Sequence, residues 1–457
     1  MRSRETKAFD EARSSAQWTG TREEEAVSLQ AGSLRRILAS EHGYSGRSRL
    51  APGREPDPFG SELQSDFGAA TAFVGDIDGD GIEDLAVGAP RDSYLGHFHG
   101  AVWILMLQRD GRVRASTEIR EQLAGFSPSM NEFAALGTAL APLGDLNGDS
   151  IPDLAVGAPG WEGAAESRGG VWVLFLKRDG SVAREVELGS LQPMSAAGVG
   201  LGSGIGESLA NLGDLDGDGT LELAIGQDPD FDLARKSGRS VFIVSLERDA
   251  TVRRVRRIHD RTDGFSSESS WFGDALAGIG DVDGDGTRDL AIADTYDHDG
   301  GQVRGCVWVV FLAPNATVKS KQKISDWAGG FEGALVDWAR FGASLAGPGD
   351  IDGDGIPDLL VGSSEAIWTL LLRRDATVRD YRRAAIANKT SGPLDLRGSI
   401  SYAGGSPDDP RPRLAVGGSL RGEGPREGGG TRFDRMAPTD AVVWWLTVQK
   451  NGRLAAW

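Results

Sequence analysis

The chain has 457 residues, a formal net charge of −18, 65 glycines and a single cysteine. Its length predicts two or three domains unless the sequence repeats, because repeat architectures run long as one unit. The acidic balance argues against nucleic acid and against an anionic membrane as partners, and one cysteine excludes an intrachain disulfide.

The N-terminal part of the chain lacks the features of an ordered repeat. Residues 1–32 are highly charged and have no strand pattern, so we expect them to be disordered. They also lack the apolar stretch of a secretory signal, which leaves either a cytoplasmic protein or an export signal outside this chain. No apolar run reaches 18 residues, so we expect no direct membrane insertion.

The first predicted strand lies at residues 33–39 (SLRRILA), which resemble later segments such as TVRRVRRI at 251–258. Those later segments are the outermost strands of repeated units. We therefore expect the N-terminal strand to complete the last unit and close the molecule. Residues 43–62, rich in Pro, Gly and Arg, are predicted to form a long loop.

Five acidic segments then follow at regular spacing. The first reads GDIDGDGIEDLAVGAP, and the segments, here called loops 1 to 5, begin at Gly75, Gly144, Gly213, Gly280 and Gly349. Their first aspartates are 69, 69, 67 and 69 residues apart. A sixth copy keeps the strand RLAVGGS, but residues 404–413 replace its acidic loop. Such a period indicates one repeated structural unit.

Each unit also carries an unbroken apolar run, such as AVWILML at 101–107 or CVWVVFL at 306–312. A run of this kind is typical of a strand buried on both faces. With the strand before the acidic loop, the LAVG strand and the outer strand, each unit predicts a four-stranded sheet. Radial packing of such sheets predicts an all-β β-propeller of six blades, with seven as the alternative, in one domain at 33–457.

The acidic loops follow the pattern DxDxDGxxD, which presents alternating carboxylates on a tight turn, as Ca²⁺ prefers. We predict about five calcium sites, with a backbone carbonyl at the seventh position of each loop. The predicted ligands are Asp76, Asp78, Asp80, Ile82 and Asp84 in loop 1; Asp145, Asn147, Asp149, Ile151 and Asp153 in loop 2; Asp214, Asp216, Asp218, Thr220 and Glu222 in loop 3; Asp281, Asp283, Asp285, Thr287 and Asp289 in loop 4; and Asp350, Asp352, Asp354, Ile356 and Asp358 in loop 5.

Electrostatics favours loops with a bound cation over metal-free loops, because two carboxylates about 4 Å apart repel by roughly 4 kcal/mol at an effective dielectric constant near 20. EF-hand loops open similarly but need a ligand at position twelve and flanking helices. Here position twelve is apolar, as at Val87, and a β-type run follows. Loop 2 has Asn147 and Ser150 where the others have Asp and Gly, so we expect it to be the weakest site.

A Phe-Gly pair, then the acidic loop, then LAVGAP resembles the FG-GAP repeat of integrin α subunits. Residues 307–331 also resemble the tandem FG-GAP proteins of bacteria and algae. The resemblance covers about residues 33–457 and implies a β-propeller with calcium on one face. It further implies a protein or glycan ligand on the opposite face and an extracellular or cell-surface setting.

Loops away from the calcium face carry the candidate ligand-binding residues, since exposed aromatic side chains on loops suit protein or carbohydrate contact. These candidates are His97, His99, Trp161, Phe231, Tyr296, His298 and Trp327. For Trp271 and Trp338, which lie beside Phe-Gly pairs, the alternative is structural packing. The strand tryptophans are predicted to lie in the core between blades: Trp103, Trp172, Trp308, Trp368 and Trp444.

Catalytic motifs are absent from the sequence: it contains no GxSxG, no P-loop and no HExxH. His97 and His99 could ligate a metal, but no third ligand is evident. We therefore predict an adhesion or interaction scaffold and no enzyme. The alternatives are a non-catalytic spacer and a hydrolase that uses one face of the propeller.

Overall fold

The structure is a computed structural model that describes residues 36–38, 66–92, 98–162, 168–188, 204–227, 239–261, 263–265, 271–385, 387–388, 392–393, 399–403, 412–419, 441–448 and 453–456. Every regular element in these ranges is a β-strand, which confirms the all-β class. No helix there has the length and apolar character needed to cross a membrane. The predicted disordered segment 1–32 and the long loop at 43–62 lie outside the described residues.

The strands are β1 (Arg36–Leu38), β2 (Ala70–Gly75), β3 (Asp84–Ala89), β4 (Ala101–Leu107), β5 (Val113–Ile119), β6 (Leu140–Gly144), β7 (Asp153–Glu162), β8 (Arg168–Leu176), β9 (Val182–Glu187), β10 (Ile205–Gly213), β11 (Leu221–Gln227), β12 (Ser240–Leu246), β13 (Val252–His259), β14 (Phe272–Gly280), β15 (Asp289–Asp294), β16 (Cys306–Leu312), β17 (Val318–Ile324), β18 (Ser344–Gly349), β19 (Asp358–Gly362), β20 (Ala366–Leu372), β21 (Val378–Ala385), β22 (Ala387–Asn388), β23 (Gly392–Pro393), β24 (Ile400–Ala403), β25 (Arg413–Ser419), β26 (Ala441–Val448) and β27 (Leu454–Ala456). Four consecutive strands pair antiparallel in chain order to form blades 1 to 5, which comprise β2–β5, β6–β9, β10–β13, β14–β17 and β18–β21; a parallel pairing of Ile205 with Gly169 also links blades 2 and 3. Blade 6 is built on β24, β25 and β26, and β22 and β23 form a separate hairpin.

The predicted four-strand unit is therefore confirmed. Its inner strands are buried on both faces, whereas its outer strand is partly exposed. In β3, Leu85 and Val87 pack toward blade 6, whereas Ala86 between them packs toward blade 2. The outer strand β5 is exposed at Arg114, Ala115 and Ser116. Alternate side chains of a strand point to opposite faces, so an inner strand with two buried faces must be apolar throughout.

The apolar core lies between blades and continues from the last blade to the first. Each of six buried clusters joins two consecutive blades within the described residues. In one of them, Ala403 and Ala415 of blade 6 pack with Leu85 and Trp103 of blade 1. These four-stranded sheets packed round a ring are consistent with a β-propeller; the number of blades stays a prediction.

Close approach of the blades explains the glycine of the LAVG motif. A Cβ built on Gly88 would lie 2.0 Å from the backbone oxygen of Gly137 in the next blade. A Cβ on Gly417 of blade 6 would lie 1.9 Å from the backbone oxygen of Gly68, before blade 1. Only a residue without a side chain allows this distance, so the glycine sets the spacing between neighbouring blades.

Aromatic contacts also join neighbouring blades. Phe126, which follows blade 1, packs edge-on against Trp172 of blade 2, with 5.4 Å between ring centroids. Phe331 contacts Trp368 in the same way at 5.3 Å. Trp103, Trp172 and Trp368 are at least nine-tenths buried, which confirms their predicted core positions; Trp308 is partly buried, and the Trp444 side chain lies outside the described residues.

The N-terminal strand pairs with the last blade as predicted. Strand β1 runs antiparallel to β26, with Ile37 opposite Val443. The C-terminal strand β27 was not expected, but it pairs with the other half of β26, where Ala455 lies opposite Thr447. The outer strand of blade 6 is thus shared by two short strands from the two ends of the described chain.

Candidate metal centres

The five acidic loops lie at one edge of their blades, each between the first and second strand. In loop 1, Asp76 Oδ1 accepts hydrogen bonds from the backbone N–H groups of Gly79 at 2.7 Å and Asp80 at 3.0 Å. Its Oδ2 accepts one from Gly81 at 2.8 Å. Loops 2 to 5 repeat this arrangement at Asp145, Asp214, Asp281 and Asp350. The first carboxylate therefore organises the turn.

The carboxylate at the ninth position ties each loop to the inner strands of its blade. Asp84 is fully buried, and it accepts hydrogen bonds from Ile77 N at 3.0 Å and Leu107 N at 2.9 Å. Burial raises the pKa of Asp84 to about 7, against the opposing effect of these hydrogen bonds. The same desolvation raises the pKa of Asp289 and Asp358 to about 7 and that of Asp153 to about 6.

Loops 1, 3, 4 and 5 bring three carboxylates together. In each of them, three carboxylate oxygens from different residues lie within 4.8 Å of one another, and the residues are Asp76, Asp78 and Asp84; Asp214, Asp216 and Asp218; Asp281, Asp283 and Asp285; and Asp350, Asp352 and Asp358. Three convergent oxygens at this spacing match the donors that a hard divalent cation takes. The donor set therefore fits calcium.

Loop 2 assembles differently because Asn147 replaces one of the carboxylates. Its side-chain amide donates to Asp149 Oδ2 at 3.0 Å, and its own oxygen accepts from Asp149 N at 2.8 Å. Ser150 has a φ of +67°, close to the +84° of Gly81 at the same position of loop 1. The turn is thus conserved within the chain even where its residues change.

The backbone N–H of the seventh residue of each loop donates to the aspartate at the fifth position. The backbone N–H of Ile82 donates to Asp80 Oδ1 at 2.9 Å, and Thr220 adds a hydroxyl hydrogen bond to Asp218 at 2.6 Å. The equivalent N–H groups of Ile151, Thr287 and Ile356 donate to the fifth-position aspartates of their own loops. Carbonyl ligation at these five residues stays a prediction.

Basic side chains at the acidic loops were not expected from the sequence. In loop 4, Lys319 Nζ lies 2.6 Å from Asp283 Oδ2 and 2.7 Å from Asp285 Oδ2. Lys319 is the second residue of the outer strand, and Arg114 and Arg379 contact the loops of blades 1 and 5 from the same position. The signal in the sequence was a basic residue directly after the valine that opens the outer strand.

A further acidic cluster lies outside the loops, in blade 4. Asp294, Asp297 and Cys306 are buried and bring ligand atoms within 4.8 Å of one another. The ammonium group of Lys323 lies 2.7 Å from Asp297 Oδ2 and 2.8 Å from Asp299 Oδ2. Lys323 thus supplies a positive charge beside the cluster, and Cys306 is a free, buried thiol.

The connections at the opposite edge of the blades contact one another. The N–H of Trp338, which precedes blade 5, donates to Gln302 O in blade 4 at 2.7 Å, and that of Phe341 donates to Arg304 O at 2.8 Å. The first strands enclose a cavity of about 340 Å³ that includes Asp274 in its lining. This edge holds the predicted ligand-binding residues that the structure describes.

Those candidates divide into packed and exposed side chains. His99 is buried, with its Nδ1 2.9 Å from Glu121 Oε2, and Tyr296 stacks on Trp271 with 4.2 Å between ring centroids. His298 is exposed, and its Nδ1 accepts a hydrogen bond from the backbone N–H of Val303. Of the other candidates, His97, Phe231 and the Trp161 side chain lie outside the described residues.

Two tryptophans near this edge project into solvent. Trp327 is 70% exposed and Trp338 is 56% exposed. The guanidinium of Arg304 lies 2.6 Å from Asp326 and 3.0 Å from Asp337, the residues that precede these tryptophans. One charged group therefore holds the two backbone segments that carry the aromatic side chains.

Comparison with known proteins supports the repeat assignment. The FG-GAP repeat family model matches residues 67–105, 136–174 and 341–370, which cover parts of blades 1, 2 and 5. Integrin alpha-PS2 of Drosophila melanogaster is 32% identical over 258 residues, 55% of this chain and 17% of that protein. Integrin alpha-4 of Xenopus laevis is 34% identical over 168 residues, 36% of this chain and 15% of that protein.

Integrin alpha-7 of Homo sapiens is 36% identical over 183 residues, 39% of this chain and 13% of that protein, so the chain matches only a small part of these relatives. An α-L-arabinofuranosidase structure from Fusarium graminearum aligns with 82% of this chain and 91% of its own, at 12% identity and a TM-score of 0.47, a likeness too weak to carry an argument. The repeated loops, the four-stranded blades and these matches agree: the chain carries FG-GAP repeats and, over part of its length, is similar to integrin α subunits.

Proposed function

We propose that the chain is a calcium-binding β-propeller that acts as an adhesion or interaction scaffold. The observation that supports calcium is the convergence of three carboxylate oxygens within 4.8 Å in four separate loops. Loop 4 supports the proposal, since its Asp283 and Asp285 already accept a positive charge, the Lys319 Nζ, between them. Bound calcium would rigidify the turns between first and second strands.

Calcium binding is tested by stoichiometry and by thermal unfolding of the full chain. We expect uptake of about five Ca²⁺ ions and a large rise in the midpoint, since a site filled at 100 times its Kd adds about 2.7 kcal/mol. Asp285→Ala should remove one ion and only part of the rise. Glu365→Ala, which removes an exposed carboxylate elsewhere, is the control; equal midpoints in calcium and in chelator contradict the proposal.

The scaffold role rests on the edge opposite the acidic loops and on the similarity to integrin α subunits. Exposed tryptophans held on ordered backbone suit a protein or glycan ligand, because a large aromatic surface is presented at little cost in conformational entropy. Trp327 and Trp338 are the residues of this kind in the described part of that edge. A calcium-rich extracellular or cell-surface setting accords with both features.

The ligand is sought by screening the calcium-loaded chain against glycan and protein arrays. We expect a ligand whose binding falls at least about tenfold in Trp327→Ala and Trp338→Ala, while calcium uptake is unchanged. Arg112→Ala, at the other edge, is the control for a general surface effect. A spacer role predicts no ligand that depends on these tryptophans, and that result would remove the scaffold proposal while leaving the calcium proposal intact.

A further inference from the structure

Four of the five acidic loops hold a positive charge supplied by their own blade. In loop 4 the charge is Lys319, which contacts Asp283 and Asp285. In loops 1 and 5, Arg114 and Arg379 contact the aspartates at the same third and fifth positions. These contacts join the outer strand of the blade to its acidic loop.

Loop 3 uses two arginines in place of one. Arg253, equivalent in position to Lys319, lies 2.8 Å from Asp218 Oδ2. Arg254 lies 3.1 Å from Asp216 Oδ2 and 3.5 Å from Glu222 Oε1. All four loops therefore have a basic group on the carboxylates that were predicted to ligate calcium.

The basic groups contact side-chain oxygens of predicted metal ligands. In loop 4, Oδ1 of Asp283 accepts from Asp285 N at 3.2 Å, and Oδ1 of Asp285 accepts from Thr287 N at 2.8 Å. The backbone thus occupies the Oδ1 atoms, and Lys319 occupies the Oδ2 atoms. Lysine and a divalent cation cannot both hold these two oxygens at contact distance, because their positive charges would repel strongly.

Loop 2 is the exception, because the outer strand of its blade has no basic residue at this position. The residue equivalent to Lys319 is Ala183, and the loop has Asn147 where the others have aspartate. Among the described residues no basic side chain forms an ion pair with Asp145 or Asp149. Arg248 of blade 3 approaches Gly148 of this loop, but the corresponding arginines approach loops 1 and 4 as well, so that contact does not distinguish loop 2.

We propose that Arg114, Arg253, Lys319 and Arg379 are built-in competitors of the divalent cation. Calcium displaces them on entering loops 1, 3, 4 and 5, whereas in loop 2 it displaces only the neutral amide of Asn147 from Asp149, so loop 2 fills first. This inference rests on the proposed calcium function, and it reverses the expectation that loop 2 is the weakest site. The missing carboxylate of loop 2 is offset by the missing basic residue, so its attraction for calcium is not reduced relative to the other loops.

Stepwise calcium binding to the full chain tests this order. We expect Lys319→Met to tighten one of the weaker sites by about tenfold, because two ion pairs no longer have to be broken. Ala183→Lys should weaken the tightest site by about the same factor. Lys177→Met, which removes a lysine from the turn after β8, and Ala183→Met, which adds a neutral side chain, are the matched controls and should leave every site unchanged.

Thermal unfolding gives a second readout that does not depend on resolving single sites. A competitor stabilises only the metal-free state, so Lys319→Met should lower the midpoint in chelator and leave it unchanged in saturating calcium. An equal loss in both conditions would overturn the inference, because it would place Lys319 on the loop in the loaded state too. If the native chain takes up no calcium, the proposed function fails; if it takes up calcium but the lysine variants behave like their controls, only this inference fails.

Discussion

At the scale of single residues, the carboxylate at the ninth position of each acidic loop combines two demands. Asp84, Asp289 and Asp358 are buried at the start of a second strand, where their oxygens accept backbone hydrogen bonds from the loop and from the third strand. Burial favours the neutral acid, whereas metal ligation needs the anion. Protons and calcium are therefore expected to act against each other at these positions.

The pH dependence of stability follows from that conflict. Burial raises the pKa of Asp84, Asp289 and Asp358 to about 7 in the metal-free protein. A folded-state pKa above the unfolded value means that the fold binds protons more tightly, so the metal-free protein loses stability as pH rises from about 4 through 7. The proposed calcium ions need the ionised form, so we expect their stabilising effect to grow over the same interval.

We therefore expect a larger calcium-induced rise in the thermal midpoint at about pH 8 than at about pH 5. The measurement is a series of melting curves in chelator and in saturating calcium at matched ionic strength. A rise of the same size at both pH values would show that these carboxyls are already ionised in the metal-free fold.

Ser150 carries backbone strain at the sixth position of loop 2. Its φ of +67° lies in the left-handed region, where a residue with a Cβ pays about 1–2 kcal/mol and glycine does not. Ser150→Gly should therefore raise the free energy of unfolding by about 0.5–1 kcal/mol, after allowing for the greater freedom of glycine in the unfolded chain. Urea denaturation in chelator measures it, and Gly286→Ser in loop 4 should show a loss of similar size.

At the scale of elements, the blade is limited by how closely its neighbours approach. The second strand of blade 1 meets the next blade at Gly88, where a Cβ would come within 2.0 Å of a backbone oxygen. In blade 2, a Cβ on Gly157 would come equally close to the backbone oxygen of Gly206. The LAVG motif therefore serves packing as well as strand formation. Its apolar residues pack on both faces of the sheet, and its glycine leaves room for the backbone of the next blade.

We expect Gly88→Ala to cost about 2–3 kcal/mol of unfolding free energy, because backbone and not a flexible side chain must move. Gly353→Ala is the matched control: its Cβ would meet nothing within 4 Å, although its φ is +83°. That change should cost only about 1 kcal/mol, from the left-handed backbone alone. Equal losses for the two variants in denaturant titrations would show that the blades can separate freely at Gly88.

At the scale of the whole molecule, stability depends on a ring whose two ends meet. The last blade completes its outer edge with β1 and β27, so chain segments more than 400 residues apart lie on one strand, β26. The apolar cluster between blades 6 and 1 continues the core past this junction. Among the described residues each blade packs against two neighbours, which covers the faces that an open array would expose.

The N-terminal strand should therefore contribute to stability, and residues 1–32 should not. Removal of residues 1–39 is expected to lower the thermal midpoint and to increase amide exchange at Val442, Val443 and Trp444, the partners of β1. Each kcal/mol lost lowers the midpoint of a protein of 150–250 residues by about 2–4 °C, and we expect a smaller shift per kcal/mol for this longer chain. Removal of residues 1–32 is the control; an unchanged midpoint for the longer deletion would show that β1 is dispensable.

Local patterns predicted most of the fold and the composition of the acidic loops. A strand buried on both faces reads as an apolar run, and a metal-binding turn places its donors within nine consecutive residues, so both are legible without knowledge of the fold. The basic partners of the loops were missed because Lys319 lies 34 residues after Asp285, on a strand that meets the loop only once the blade is folded. The same limit applies to β27, whose three residues carry no periodicity long enough to read.

The sequence by itself determined the repeat, the strand order within a blade and the carboxylate pattern of the loops, because each depends on residues that are close along the chain. Tertiary structure decided which side chains share those sites. It buried His99 against Glu121, stacked Tyr296 on Trp271, and left Trp327 exposed, although all of these looked alike as loop residues. Exposure and charge pairing are set by contacts between blades and between strands, and such contacts exist only after the ring has closed.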